Sequence, residues 1–239
     1  MKPPKFKDLI IFEDFDYIII NKPPFLSTLE DRVDNFNVSS LAKEYYPNAT
    51  PCHRLDKDTS GALVLSKNEN AYRNLAIQFE KRKVDKVYHA ISDGRHEVEA
   101  ALIEAPLGNL IRGRVKVDFQ DGKPSSTKVR TSKIFKQHTL FECKPITGRT
   151  HQIRAHLTHI GAPISCDEMY GGKPALLSQI KKKYNLKKDT EEQPMIKRFA
   201  LHAFSITFAN VKGDPVSYVA EYPKDFSVLL SQLERNANK

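Results

Sequence analysis

The sequence predicts an α+β protein, and three observations carry that expectation. Short apolar runs of strand length recur at residues 9–12, 17–20 and 62–66, each bounded by charged or turn-forming residues. Within 98–144 the runs 98–103, 114–119, 127–135 and 139–144 form a meander, with period-two alternation in Thr127, Val129 and Thr131. Only a few stretches, at 37–46, 68–83, 151–160 and 224–233, have helical spacing instead.

Taken in order, 9–12 and 17–20 are two strands separated by the acidic turn Glu13-Asp14-Phe15-Asp16. Asn21-Lys22-Pro23-Pro24 is expected to break the ladder, because proline has no N–H to donate. After a short helix at 37–46 comes the densest polar stretch of the chain, His53-Arg54-Leu55-Asp56-Lys57-Asp58-Thr59-Ser60-Gly61. It runs straight into the apolar strand 62–66, so a charged loop is held against a rigid sheet, where chemistry tends to sit. Two readings are open on the residues alone. Asp58, Thr59 and Ser60 suit a solvated turn bonded to its own backbone. Equally, a carboxylate between Arg54 and Lys57 suits a nucleophile or base kept ionised at neutral pH.

Residues 68–83 read as a helix with Asn68 as its N-cap, Glu69 in the first turn, and Tyr72, Leu75 and Phe79 on one face. Its basic end, Lys81-Arg82-Lys83, either complements the helix dipole or contacts a polyanion. A strand at 86–90 follows, carrying Tyr88; a strand tyrosine by itself is ordinarily a core residue. The meander is studded with Arg112, Arg114, Lys116, Lys123, Lys128, Arg130 and Lys133. That face either tracks phosphates or is the wet side of a sheet.

Thr147-Gly148-Arg149-Thr150-His151-Gln152-Ile153-Arg154 then opens a helix with Ile153, Leu157 and Ile160 inward and Gly161 as its stop. His151, His156 and His159 invite a metal, but no carboxylate or thiolate spacing completes a ligand set, and none is expected. His151 and Gln152 are expected to bond neighbouring backbone. Residues 173–194 are polar and hold Lys181-Lys182-Lys183 and Lys187-Lys188, as in a surface excursion. Residues 224–233 close the chain as an amphipathic helix with Phe226, Leu229, Leu230 and Leu233.

The 239 residues suffice for one large core or two subdomains, and a 40% hydrophobic content argues against disorder. Lys plus Arg number 38 against 29 Asp plus Glu; the resulting +9 favours a polyanionic partner. Cys52, Cys143 and Cys166 form no CxxC pair, which speaks against a disulfide framework or a thiolate zinc site and fits a reducing cytoplasm. The N-terminal apolar run stops at Glu13, far short of a signal sequence or a membrane span. A soluble, cytoplasmic protein without membrane attachment is the expectation.

HRLDKDTSG resembles the signature loop of the RluA-type pseudouridine synthases, which isomerise uridine within RNA, and three other stretches are similar to that family in the same order. They are Lys86-Val87-Tyr88-His89-Ala90, TGRTHQIRAHL from Thr147, and Arg198-Phe199-Ala200-Leu201-His202-Ala203. The opening IIFEDFDYIIINKPP is similar too, with two departures further on. Phe25 stands where many relatives have glycine, with Thr28-Leu29-Glu30-Asp31-Arg32 after it, and the family's usual Gly-Asp appears as Cys166-Asp167. The resemblance implies a mixed, mostly antiparallel central sheet with flanking helices, crossed by a cleft.

It also implies roles. Asp56 is the catalytic carboxylate, Arg198 the basic residue that pairs with it, and Tyr88 the ring that lies against the uracil. Leu201 lines the uracil pocket, and Arg54 fills the gap left by a flipped nucleotide or holds the adjacent phosphate. His53, Arg149, His151, Gln152 and Arg154 join the substrate side. No cofactor or metal is implied, the partner is ribosomal or transfer RNA, and a monomer is expected. Only eight residues precede the first strand, so one catalytic domain over 1–239 is expected, of one or two subdomains sharing a sheet, without the small N-terminal RNA-binding domain of many relatives. The rival from another class is an RNA-binding module without catalysis; a carboxylate hydrolase would need a second acid, for which Asp58 is a weak candidate.

Overall fold

The structure, a computed structural model, describes residues 4–30, 36–109, 113–182, 184–186 and 190–237. Arg32, Arg112, Lys183, Lys187 and Lys188 lie outside the described residues. In chain order the elements are β1 (Ile10–Glu13), β2 (Tyr17–Lys22), α1 (Val38–Tyr45), β3 (Thr50–Pro51), β4 (Ser60–Ser66), α2 (Glu69–Glu80), β5 (Asp85–Asp93), β6 (Ala101–Glu104), β7 (Ser126–Ile134), β8 (His138–Pro145), α3 (Gln152–His159), α4 (Leu177–Ile180), β9 (Leu201–Ala209), β10 (Pro215–Val219) and α5 (Lys224–Arg235). This is the α+β fold with a mixed, mostly antiparallel sheet that the sequence predicts. The chain divides into two compact units, one formed by residues 1–87 and 202–222, the other by 88–201 and 223–239.

In the first unit β2 pairs antiparallel with β1 and β4, β10 pairs antiparallel with β9, and β4 lies parallel to β9 through Ser60↔His202 and Gly61↔Ala203. Tyr17, Ile19, Val64, Leu75, Ile206, Phe208 and Ala220 make its core. α1 and α2 begin where a side chain can satisfy their first free N–H groups: Asn37 Oδ1 accepts from Ser40 N–H at 2.9 Å, and Asn68 Oδ1 from Ala71 N–H at 2.8 Å. α2 buries Ala71, Leu75 and Gln78 and leaves Tyr72 exposed, one position round from the face expected. β2 also runs on through Asn21 and Lys22, paired with Ala62 and Gly61; only Pro23 ends it.

In the second unit the order is β5-β8-β7-β6, antiparallel throughout, with Tyr88 opposite Cys143. Residues 114–119 are not a strand. Arg114 and Val117 make isolated bridges, Val117 with Leu107, and the segment then bends around Asp118, whose Oδ1 accepts from the Gln120 and Asp121 N–H groups. The strand expected at 98–103 begins only at Ala101. The lysine-rich excursion is pinned by buried Ala175 and Ile180. α5 is fastened by buried Phe226, Leu229 and Leu233.

Candidate active site

In the first unit the loop that carries His53, Arg54 and Asp56 hangs from three fixed points. Leu55 is buried, and Thr28 grips its backbone twice, donating from Oγ1 to the Leu55 carbonyl at 2.9 Å and accepting the Leu55 N–H at 3.1 Å. Lys22 is fully buried, and its ammonium donates to the carbonyls of Pro23 at 2.9 Å, Leu26 at 2.8 Å and Lys57 at 3.0 Å. Three donors meet three acceptors, which offsets much of the cost of taking the ammonium out of water. Downstream, Gly61 has φ +120° and lies so close to β9 that a Cβ would stand 2.1 Å from the Ala203 carbonyl oxygen. No other residue fits there.

Between these anchors the chain turns, with the Thr59 N–H donating to the Asp56 carbonyl at 3.1 Å. Asp56 and Asp58 are left half-buried, and Arg54 and Lys57 are exposed. His53 faces inward instead: its Nε2 accepts the Val64 N–H at 3.2 Å and its ring packs 5.2 Å from that of Phe79. Burial first, and then the Lys86 ammonium, push its pKa down to about 3, so the ring is neutral and serves as a bracket between loop and strand.

In the second unit β5 presents Tyr88, half-buried, and three residues on engages the segment that carries Arg198 and Leu201. The Ile91 N–H donates to Ala200 O at 3.0 Å, and the Ala200 N–H to Ser165 O at 3.0 Å. Arg198 is buried. Its Nε donates to Asp225 Oδ2 at 2.8 Å and its Nη2 to Asp225 Oδ1 at 3.1 Å, while Nη1 reaches the Leu201 carbonyl at 3.0 Å. Asp225 had no part in the sequence-based expectation, which sought the partner of Arg198 in the signature loop.

The TGRTHQIRAHL segment is densely bonded to the rest of the second unit. Gln152 is buried and spends both ends: Oε1 accepts from Thr147 Oγ1 at 2.6 Å and Arg149 N–H at 3.0 Å, and Nε2 donates to Ser126 O and Thr127 Oγ1, each at 2.9 Å. Arg154 is buried too, paired in fork fashion with Asp167 at 2.6 and 2.8 Å and stacked 4.7 Å from the Tyr170 ring centroid and 4.1 Å from that of Phe199. Gln152 thus makes the backbone bonds expected of it, and Arg154 braces Phe199, the residue next to Arg198. His156 likewise uses both ring nitrogens internally, on Thr127 Oγ1 at 2.8 Å and Ala105 O at 2.9 Å. His151 adopts φ +53° at the head of α3, with Nδ1 3.1 Å from the Tyr170 hydroxyl, and Arg149 is exposed.

Residues 16–159 match the family model described as RNA pseudouridylate synthase. The chain belongs to the RNA pseudouridylate synthase family. Among curated relatives of this synthase-family chain, a ribosomal large subunit pseudouridine synthase C of Vibrio cholerae is 36% identical over 168 residues, which is 69% of this chain and 53% of the relative. One of the same name from Haemophilus influenzae is 34% identical over 234 residues, covering 95% of this chain and 69% of the relative. The chain thus spans about half the length of the first and somewhat over two thirds of the second. The fold of this family member is also that of human RNA pseudouridylate synthase domain containing 4, with a TM-score of 0.75 and 23% identity over 96% of this chain and 95% of that one.

Proposed function

We propose that this chain isomerises uridine to pseudouridine in RNA, with ribosomal RNA as the substrate to test first and transfer RNA as the second. The observation that carries the reading is the loop around Asp56: a half-buried carboxylate flanked by two exposed cations, on backbone pinned by Lys22, Thr28 and Gly61. A solvated turn has no need of a fully buried lysine committed to its carbonyl. Membership of the family supports the same reading.

In the reaction the C1′–N1 bond of uridine breaks, the uracil turns, and a C1′–C5 bond forms while the hydrogen on C5 leaves as a proton and N1 takes one up. Nothing is oxidised or lost, so no cofactor or metal is required. Asp56 is the catalytic carboxylate, acting on a flipped nucleotide. Tyr88 offers the uracil a flat ring, Leu201 an apolar wall, Arg198 the counter-charge to Asp56, and exposed Arg54 a cation for the displaced strand or its phosphate.

The test is RNA tritiated at uracil C5, because closing the C1′–C5 bond must expel the label. Wild type is expected to release tritium and Asp56→Asn to release none, while the variant unfolds at the wild-type temperature within a few degrees. Undiminished release from Asp56→Asn removes the assignment, and an RNA-binding module without catalysis would bind RNA with no release from the wild type.

A further inference from the structure

We propose that Asp225 is a positioning residue for Arg198, so that the first turn of α5 belongs to the apparatus of the reaction; this rests on the reading of Arg198 as the cation that serves Asp56. The Arg198 side chain has no exposed surface, against 26% for that of Asp225. A guanidinium taken out of water needs a counter-charge and an acceptor for each N–H, and its long, flexible stem does not fix where the fork points.

Asp225 supplies both. Its two oxygens take Nε and Nη2 side by side at 2.8 and 3.1 Å, the bidentate geometry that sets the plane of a guanidinium as well as its position. Nη1 is held on the opposite side by the Leu201 carbonyl at 3.0 Å, with that of Phe199 at 3.4 Å. Four of the five N–H donors are thereby accounted for.

The carboxylate is itself fixed. Asp225 is the second residue of α5, and its Oδ1 also accepts the Phe226 N–H at 2.7 Å. Phe226, Leu229 and Leu233 then anchor the helix in the core. A carboxylate in a helix's first turn is favoured by the dipole whether or not it has a partner. The fork pair, not the helix, is what demands that both oxygens face Arg198. A helix laid down 27 residues after the arginine thus determines where the arginine points.

The experiment compares wild type, Asp225→Asn, Arg198→Met and the double variant on C5-tritiated RNA, at temperatures where circular dichroism shows each folded. Asn preserves shape and removes the charge and one acceptor. Asp225→Asn is expected to lower kcat on the order of 10- to 100-fold, the effect of misplacing a catalytic group by a fraction of an ångström to about one, with KM within about two-fold. The double variant is expected to lose no more than Arg198→Met alone. Losses that multiply, or a change in KM alone, would overturn the proposal, since they assign Asp225 to general stability or to RNA binding. A second readout needs no variant and no turnover. The Arg198 Nε–H, followed by nitrogen-15 NMR, should exchange with water far more slowly than those of exposed arginines, and an exchange rate like theirs overturns the clamp even if the wild type is active. A wild type that releases no tritium sinks the functional reading instead, and the clamp then stands or falls on that exchange rate.

Discussion

His53 shows how a motif residue can serve its loop from inside the fold. Its neutral ring accepts from Val64, and its pKa of about 3 lies below the ordinary 6.5. The unfolded chain therefore takes up a proton before the folded one does. Stability from this residue is complete above pH 6.5 and is lost as the pH falls toward 3, at about 1.4 kcal/mol per unit while the two states differ by a full proton. His53→Gln, which keeps an acceptor and cannot titrate, should be somewhat less stable at neutral pH but flatter below it. Urea midpoints measured between pH 7 and pH 4 decide the matter; parallel slopes for both proteins would mean that another group drives the acid loss. Two other positions explain the departures from the family pattern. Phe25 and Cys166 have φ of +65° and +63°, the left-handed region in which glycine is at ease. The sequence displays both only as odd substitutions, since a dihedral has no local trace in residue type. At Cys166 the side chain recovers something, as its Sγ accepts the Ala175 N–H at 3.2 Å.

Among the elements, β4 does most to place chemistry, and Gly61 is its weak point by design of the packing. Gly61→Ala would drive a methyl group into the Ala203 carbonyl at a backbone angle alanine avoids. The expected cost is about 3 kcal/mol or more, with the parallel β4–β9 pairing opening first. Thermal unfolding gives the size, and amide exchange on Ala62 and Ala203 gives the place; a variant as stable as wild type would show that β9 can retreat. Much at this scale is legible in sequence because its causes are local: the Asn68 cap, the Gly161 stop and the apolar run 62–66 all sit where spacing predicts. The partnerships that hold the candidate site are not. Lys22 meets Lys57 across 35 residues, Arg198 meets Asp225 across 27, and Arg154 meets Asp167 across 13. Such pairs leave no period to read, and neither Asp225 nor Asp167 is marked by spacing as the partner of its arginine.

For the molecule as a whole, the +9 balance would supply the attraction for RNA that the proposed function requires, though less of it lies on the meander than the sequence suggests. Arg130 is forked onto Glu142 at 2.7 and 2.9 Å, and Lys133 is paired with Glu234 at 2.8 Å. Lys144 shares Glu142 with Arg130, its ammonium 3.4 Å from the carboxylate, while Lys128 is exposed beside them. Log affinity for RNA should fall linearly with log salt, by about 0.7 to 0.9 per phosphate neutralised. Filter binding from low to physiological salt measures the slope, and a flat line would show that the charge serves solubility alone. Arg130→Ala should change that slope little, because its charge is already spent on Glu142.

The chain leaves the first unit after residue 87 and returns to it only at 202, so the parallel neighbour of β4 is 142 positions away at Ser60 and His202. On a translating ribosome, β2, β3 and β4 emerge early, and the β4 edge at Ser60 and Gly61, beyond the short β3 pairing at Leu65 and Ser66, stands open while all of 88–201 is made. The intact chain closes that edge late, by a long loop whose entropy resists it. A stalled or truncated nascent chain never does. The exposed edge of β4 is then free to recruit the same strand from a neighbouring polysome, which makes the rate of elongation through this interval a determinant of how much protein is recovered in soluble form.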